Sequence, residues 1–175
     1  MVPSGDGVIY SIGDAVKSAA NADVNGIPAV AKAAGTDTLR GVVIGVINPF
    51  PNTPSIQGTL IDNTITSIPA AKTKNYYVAV ADDPSLVFAV QDDGITSASL
   101  VAANANKNFS LTIANPAQPQ QDSATVMLST SLAVTQALNM KAFGLQQIPG
   151  NVFGPFAIWL CLINQHELMG NTAGI

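Results

Sequence analysis

The chain has 175 residues, room for one domain with at most a short extension. Only 10% of them are charged, against about 25% in ordinary soluble domains, while the hydrophobic share of 47% is normal. Seven Lys and Arg against eleven Asp and Glu leave no cationic face for nucleic acid; the single Cys161 excludes an internal disulfide or a Cys-built zinc cage; and the longest apolar run, 152–163, contains Gly154 and Pro155 and is shorter than the roughly 20 residues a membrane helix needs.

Residues 1–39 read as an irregular N-terminal arm. Val8-Ile9-Tyr10-Ser11-Ile12 is a short strand candidate, but 15–34 is rich in Ala, Asn and Lys and interrupted by Asn25-Gly26, Pro28 and Gly35. The start, Met1-Val2-Pro3-Ser4-Gly5-Asp6, lacks the basic and apolar pattern of a secretory signal. Residues 40–175 read as a single β domain. In 42–47 both faces are apolar, the mark of a buried strand, and the proline-punctuated 48–54 ends it. Weaker strands at 58–61 and 64–68 flank an Asp62-Asn63 turn. The stretch 74–81 is a stronger strand, broken by Asp82-Asp83-Pro84. Leu86, Phe88 and Val90 form one face of the next, which closes at Asp92-Asp93-Gly94.

Phe109, Leu111 and Ile113 alternate with Ser110 and Thr112, predicting a half-buried strand before a second proline-bearing loop at 115–121. Ser and Thr within 124–138 favour strand, turn, strand over a helix. A short strand is predicted over 140–145 and a turn at Pro149-Gly150-Asn151. Along 156–166, Phe156, Ile158, Leu160 and Leu162 point one way and Trp159, Cys161 and Ile163 the other. Eight to ten short strands at this spacing predict an all-β, jelly-roll-like sandwich or small barrel, and no βαβ repeat supports an α/β enzyme fold.

Chemical sites are scarce. His166 is the only histidine, and Gly170 stands where a zincin helix places its second. Five residues separate Cys161 from His166, putting them on opposite faces of a continuous strand. A Ser-His-Asp triad would need His166, but no Gly-x-Ser-x-Gly elbow accompanies it. Asp82-Asp83 and Asp92-Asp93 bracket one strand and sit more than about 20 Å apart at its two ends. Beside Pro84 and Gly94 they read as turn residues ahead of calcium ligands. Asn108-Phe109-Ser110 matches a glycosylation acceptor. Gly41 to Gly45 lie within a strand and form no phosphate loop. Phe50, Phe153, Phe156 and Trp159, near Pro49, Pro51 and Pro155, are either core or interface anchors. No catalytic, cofactor or metal residue is therefore assigned. An exterior short of charge resists association poorly and suits a protein covered by partners.

Three segments in order carry a resemblance: Arg40-Gly41-Val42-Val43-Ile44-Gly45-Val46, Tyr77-Val78-Ala79-Val80-Ala81-Asp82-Asp83-Pro84 followed by Val87-Phe88-Ala89-Val90-Gln91-Asp92-Asp93-Gly94, and Ile163-Asn164-Gln165-His166-Glu167-Leu168. Together they resemble the small capsid cement, or head decoration, proteins of tailed bacteriophages. The resemblance covers 40–175 and differs at Ala89, where an acidic residue is expected. It implies a jelly-roll-like domain on the outside of an icosahedral head, made in the host cytoplasm. Its partners would be the major capsid protein and further copies of itself, as homodimer or homotrimer, with no nucleic acid, membrane, cofactor or enzymatic activity. The part of the arm from Met1 to Gly35 would order on binding. Competing readings are another virion part (tail or fibre base), a carbohydrate-binding β-sandwich using Tyr76, Tyr77 and Trp159, and a hydrolase using His166.

Overall fold

Twelve short strands and two 3-10 turns make up the regular structure of the computed structural model, which describes residues 1–47, 61, 65–95, 101–113 and 123–169. The chain is nearly all β, as its alternation predicts, and its sheets are antiparallel with no closed barrel among the described residues. The proline-bearing segments 48–54 and 115–121, the Asp62-Asn63 turn, Phe50 and most of the weak strand at 58–61 lie outside the described residues. Two compact units divide the chain.

The first unit comprises Met1–Lys32, Arg40–Asp82 and Ala114–Ala124. Its four-stranded sheet runs β3 (Pro28–Lys32), β2 (Ala15–Ala22), β4 (Gly41–Ile47), β6 (Tyr77–Ala81), and a two-stranded ribbon pairs β1 (Tyr10–Ser11) with β5 (Ser67–Ile68). Tyr10 and Ile68 of the ribbon share one buried cluster with Val16, Val30, Val43 and Val46 of the sheet, so the ribbon covers one sheet face. Val2 belongs to the same cluster and bridges to Tyr76.

The expected loose arm is therefore corrected: 1–32 supplies three strands and part of the core. Asn25-Gly26 is a hairpin turn and not a breaker. Asp23 and Ile27 close a three-residue loop in which Gly26 takes φ 80°, and the Asp23 carboxylate accepts the N–H groups of Asn25 and Ile27. The low β-propensity of the Ala, Asn and Lys residues is overridden by pairing on both sides of β2.

A buried ion pair closes this unit. Lys32 Nζ lies 2.8 Å from Asp14 Oδ2, with side chains 8% and 0% exposed. Asp14 also accepts the Ser11 N–H at 2.8 Å and the Ser123 hydroxyl at 2.5 Å, which ties the Ser11–Asp14 turn to a distant segment. Beside it the Tyr10 hydroxyl donates to Asp6 and accepts the Lys32 N–H. Burial, then the Asp6 bond, pushes the Tyr10 hydroxyl well above the usual phenol range.

The second unit comprises Ala33–Leu39, Asp83–Ile113 and Thr125–Ile175. Its sheet runs β7 (Val87–Gln91), β12 (Ile158–Ile163), β11 (Met140–Leu145), β8 (Asn108–Phe109), and a ribbon pairs β9 (Leu111–Thr112) with β10 (Val126–Met127). Burial alternates along β12 as predicted: Trp159, Cys161 and Ile163 are buried, while Ile158, Leu160 and Leu162 are half-exposed. The register sets Phe88, Cys161 and Ala142 on the inner face and Val87, Leu162 and Lys141 on the outer one.

Two sequence expectations fail here. Residues 108–111 are all buried, because the chain leaves one sheet after Phe109 and joins the ribbon at Leu111, with Ser110 held between them by Ser131 and Leu128. Residues 124–138 form only β10 and a 3-10 turn, Ser129–Ser131, before an isolated bridge from Ala133 to Asn108.

Removing one partner of the buried pair leaves an uncompensated charge. Lys32→Ala is expected to lower the unfolding free energy by about 3–5 kcal/mol in urea titrations. The double variant Asp14→Asn/Lys32→Met should recover part of that loss, since the orphaned charge is gone. A cost of less than about 1 kcal/mol for Lys32→Ala would show that the pair is not buried in solution.

Candidate functional site

The residues singled out for chemistry are mostly structural. His166 is buried just beyond β12, where its Nδ1 accepts the Leu168 N–H at 3.0 Å and its backbone bridges to Leu39. The Cys161 thiol is buried and leans on the Trp159 carbonyl at 3.6 Å, and burial pushes its pKa far above the usual thiol range. Neither group hydrogen-bonds the other. Asn108 is fully buried with its Nδ2 on the Thr135 carbonyl, a position no glycosylating enzyme reaches. Among the described residues no group of three or more His, Cys, Asp and Glu is placed to hold a metal ion, and no helix is long and apolar enough to cross a membrane.

The bracketing aspartates hold turns. Asp83 accepts the Ser85 N–H and hydroxyl, bonds that keep its carboxyl below the usual range. Asp82 pairs with Arg40 at 2.6 Å. Asp93 accepts the Ser129 hydroxyl and N–H. Asp92 is fully buried; its Oδ1 accepts the N–H groups of Gly94 and Phe156, and its Oδ2 has no partner.

The aromatic group divides. Trp159 is core at 0% exposure, so it offers no stacking face to a sugar. Phe153 and Phe156 are surface residues on the loop 146–157 that joins β11 to β12. Phe153, 47% exposed, packs its ring 5.7 Å from Trp159. Phe156 is 61% exposed and has φ 62°, the left-handed region that a bulky residue rarely occupies. Four contacts hold it there. Asp92 takes its N–H, the Gln91 side chain donates to its carbonyl at 3.3 Å, Gly154 and Ala157 close a turn around it, and its ring lies against Gly94. A Cβ on Gly94 would sit 2.3 Å from that ring, so only glycine allows this approach.

The rest of the loop is equally fixed. Asn151 donates from Nδ2 to the carbonyls of Gln146 and Ile158 and accepts the Ile158 N–H, replacing a strand partner at the start of β12. Ile148 and Val152, at 43% and 71% exposure, project from this frame, and no residue from 146 to 157 is charged. Next to the loop, a bulge between Ala142 and Gly144 turns Phe143 outward at 59% exposure, on the outer face that carries Val87, Leu160 and Leu162. The sequence left Phe153 and Phe156 open between core and interface, and Phe143 carried no signal of its own. Gly144 inside a strand was the available signal for the bulge.

Comparison with known proteins returns no match: no protein family fits the chain, and no curated sequence or solved structure is similar to it. The site therefore stands on its own geometry.

Burial raises the Asp92 carboxyl above its ordinary value of 3.8, outweighing the two N–H groups that favour the charged form, and Asp93 adds a smaller push the same way. A raised folded-state value means that folding favours the protonated form relative to the unfolded chain. Its contribution is complete below pH 3.8 and lost as pH rises through the folded value. Asp92→Asn keeps an acceptor for both N–H groups and cannot ionise. The stability of the wild type relative to Asp92→Asn should fall between pH 3 and pH 7, read from urea midpoints at about one-unit steps. A relative stability that rises over that range would mean the ionised clasp is the favoured one.

Proposed function

We propose that this chain is a virion structural protein that binds the outer surface of an icosahedral phage head and cements neighbouring major capsid subunits. The observation that carries the proposal is the exposed apolar side chains of the second unit, Val152, Phe153 and Phe156 on a hydrogen-bonded loop and Phe143 on β11, in a chain with only 10% charged residues. Large apolar side chains left exposed in numbers favour an interaction role. The resemblance of 40–175 to capsid cement proteins supports the same reading. On this reading the protein transforms no substrate and needs no cofactor. It acts by mass action: binding the assembled shell and not its separated subunits lowers the free energy of the shell by about 2.7 kcal/mol per site at a free concentration of one hundred times Kd.

The test is to mix purified protein with heads that lack it. Co-sedimentation should saturate at a fixed number of copies per shell, electron microscopy should place them on the head, and loaded heads should withstand heating that opens bare ones. Density on the tail alone would favour a tail or fibre-base component, and no saturable binding to either would end the proposal.

A further inference from the structure

Lys32 and Asp14 stand at the open end of one hairpin: Asp14 lies just before β2, and Lys32 ends β3 opposite Val16. Both side chains are withdrawn from water, and Nζ touches Oδ2 at 2.8 Å, one bond from the carboxyl carbon Cγ. Taking a cation and an anion out of water is costly, so in such a site the neutral pair, an amine and a carboxylic acid, becomes an accessible alternative. A neutral lysine amine held against a carboxylic acid, with water excluded, is the arrangement from which an amide forms.

The two oxygens of Asp14 have different surroundings. The Ser123 hydroxyl donates to Oδ1 at 2.5 Å, and Oδ2 accepts the Ser11 N–H at 2.8 Å beside Nζ. Oδ1 is therefore placed to carry developing negative charge, which a hydrogen-bond donor fixed in advance stabilises. Oδ2 is placed to take protons from Nζ and leave. The product is also satisfied where it forms. Nζ already donates to the Ile9 carbonyl at 3.2 Å, so the single N–H of an amide has its acceptor, and the amide oxygen keeps the Ser123 hydroxyl.

We propose that Lys32 and Asp14 condense to an intramolecular isopeptide bond, with the Ser123 hydroxyl stabilising the charge that develops on Oδ1. A proton first crosses the 2.8 Å contact from Nζ to Oδ2, leaving a neutral amine and a neutral acid. The Nζ lone pair then forms the bond to Cγ, and the carbonyl electron pair moves onto Oδ1. A second proton passes from Nζ to Oδ2, the Cγ–Oδ2 bond breaks, and Oδ2 leaves as water while the Oδ1 carbonyl re-forms. Nothing is oxidised or reduced, and no co-reactant is needed. The bond staples the open end of the β2–β3 hairpin in a chain whose single cysteine permits no internal disulfide. Neither the bond nor its test depends on head binding.

The test is the mass of the denatured full-length protein and of its proteolytic peptides. One water is released per bond, so the wild-type chain should run about 18 Da below the mass of its sequence. A digest should yield two peptides joined through Lys32 and Asp14. Lys32→Arg keeps a positive charge beside Asp14, but its guanidinium stays protonated and forms no amide, so this variant should show its full sequence mass. Asp14→Ala should do the same. Cyclisation at Asp6-Gly7 or Asp93-Gly94 releases the same mass, but it persists in Lys32→Arg and joins no two peptides. Ser123→Ala should slow the appearance of the joined pair roughly 100-fold in pulse-synthesised protein. The joined Lys32–Asp14 peptide establishes the bond. Full sequence mass throughout the wild type, or a loss of water without that peptide, overturns the inference and leaves an ion pair.

Discussion

Carboxylates committed to turns are the constraint on which this structure rests. The chain has one glutamate and ten aspartates, and every aspartate among the described residues is bonded within the fold. Asp6 clasps Val8 and the Tyr10 hydroxyl, Asp14 holds its turn and Lys32, and Asp23 closes a hairpin and accepts the Tyr77 hydroxyl. The Tyr77 hydroxyl is pushed up to about 12 by that bond, evidence of how strongly the pair favours the ionised aspartate. Short strands of two to eight residues need such clasps. A two-residue ribbon gains little from its own ladder, so its ends must be fixed by side chains.

The same commitment shapes the exterior. Few charges exist, and several are committed: Lys72 lies over backbone carbonyls of Asp6 and Val8, with burial lowering its pKa, and Arg40 is held by Asp82. What faces water is mostly hydroxyl, amide and aliphatic. In a monomer with ordinary charge density, the outer face bearing Phe143, Val87 and Leu160 would be interrupted by Lys and Glu. Lys141 is the charged residue that the sheet register places on that face beside Leu162 and Val87.

Much of the fold was legible because alternation reports burial directly. β4, β6, β7, β11 and β12 all fall within predicted strands, and the alternation that separates Trp159, Cys161 and Ile163 from Ile158, Leu160 and Leu162 holds, the first set being the buried one. β1 falls within the candidate 8–12, but β2 and β3 were hidden because Ala, Asn and Lys do not announce a strand, and their pairing depends on residues far away, such as Val42 opposite Ala15. The chain's exchange of sheets at Ser110 was equally invisible, since it depends on Ser131 and Leu128. The turn role of the Asp pairs followed from neighbouring Pro84 and Gly94. The exposure of Phe156 did not: in sequence it continues the alternation of a strand, and its left-handed backbone is held by Asp92, more than sixty residues earlier.

A loop with four exposed apolar side chains, Ile148, Val152, Phe153 and Phe156, is small beside a standard protein interface of about 800 Å² per partner, so its affinity at one site would be modest without help. Rigidity supplies part of it. Each rotamer-rich side chain immobilised on binding costs about 0.5–1.5 kcal/mol, and a ring already held against Gly94 avoids most of that loss. On the head-binding reading, a homodimer or homotrimer would supply the rest, because linked copies make the second contact intramolecular. Strain at Phe156 and an uncharged exterior would both be liabilities for a solitary protein. On the proposed shell, a low charge would let neighbouring copies pack without like-charge repulsion.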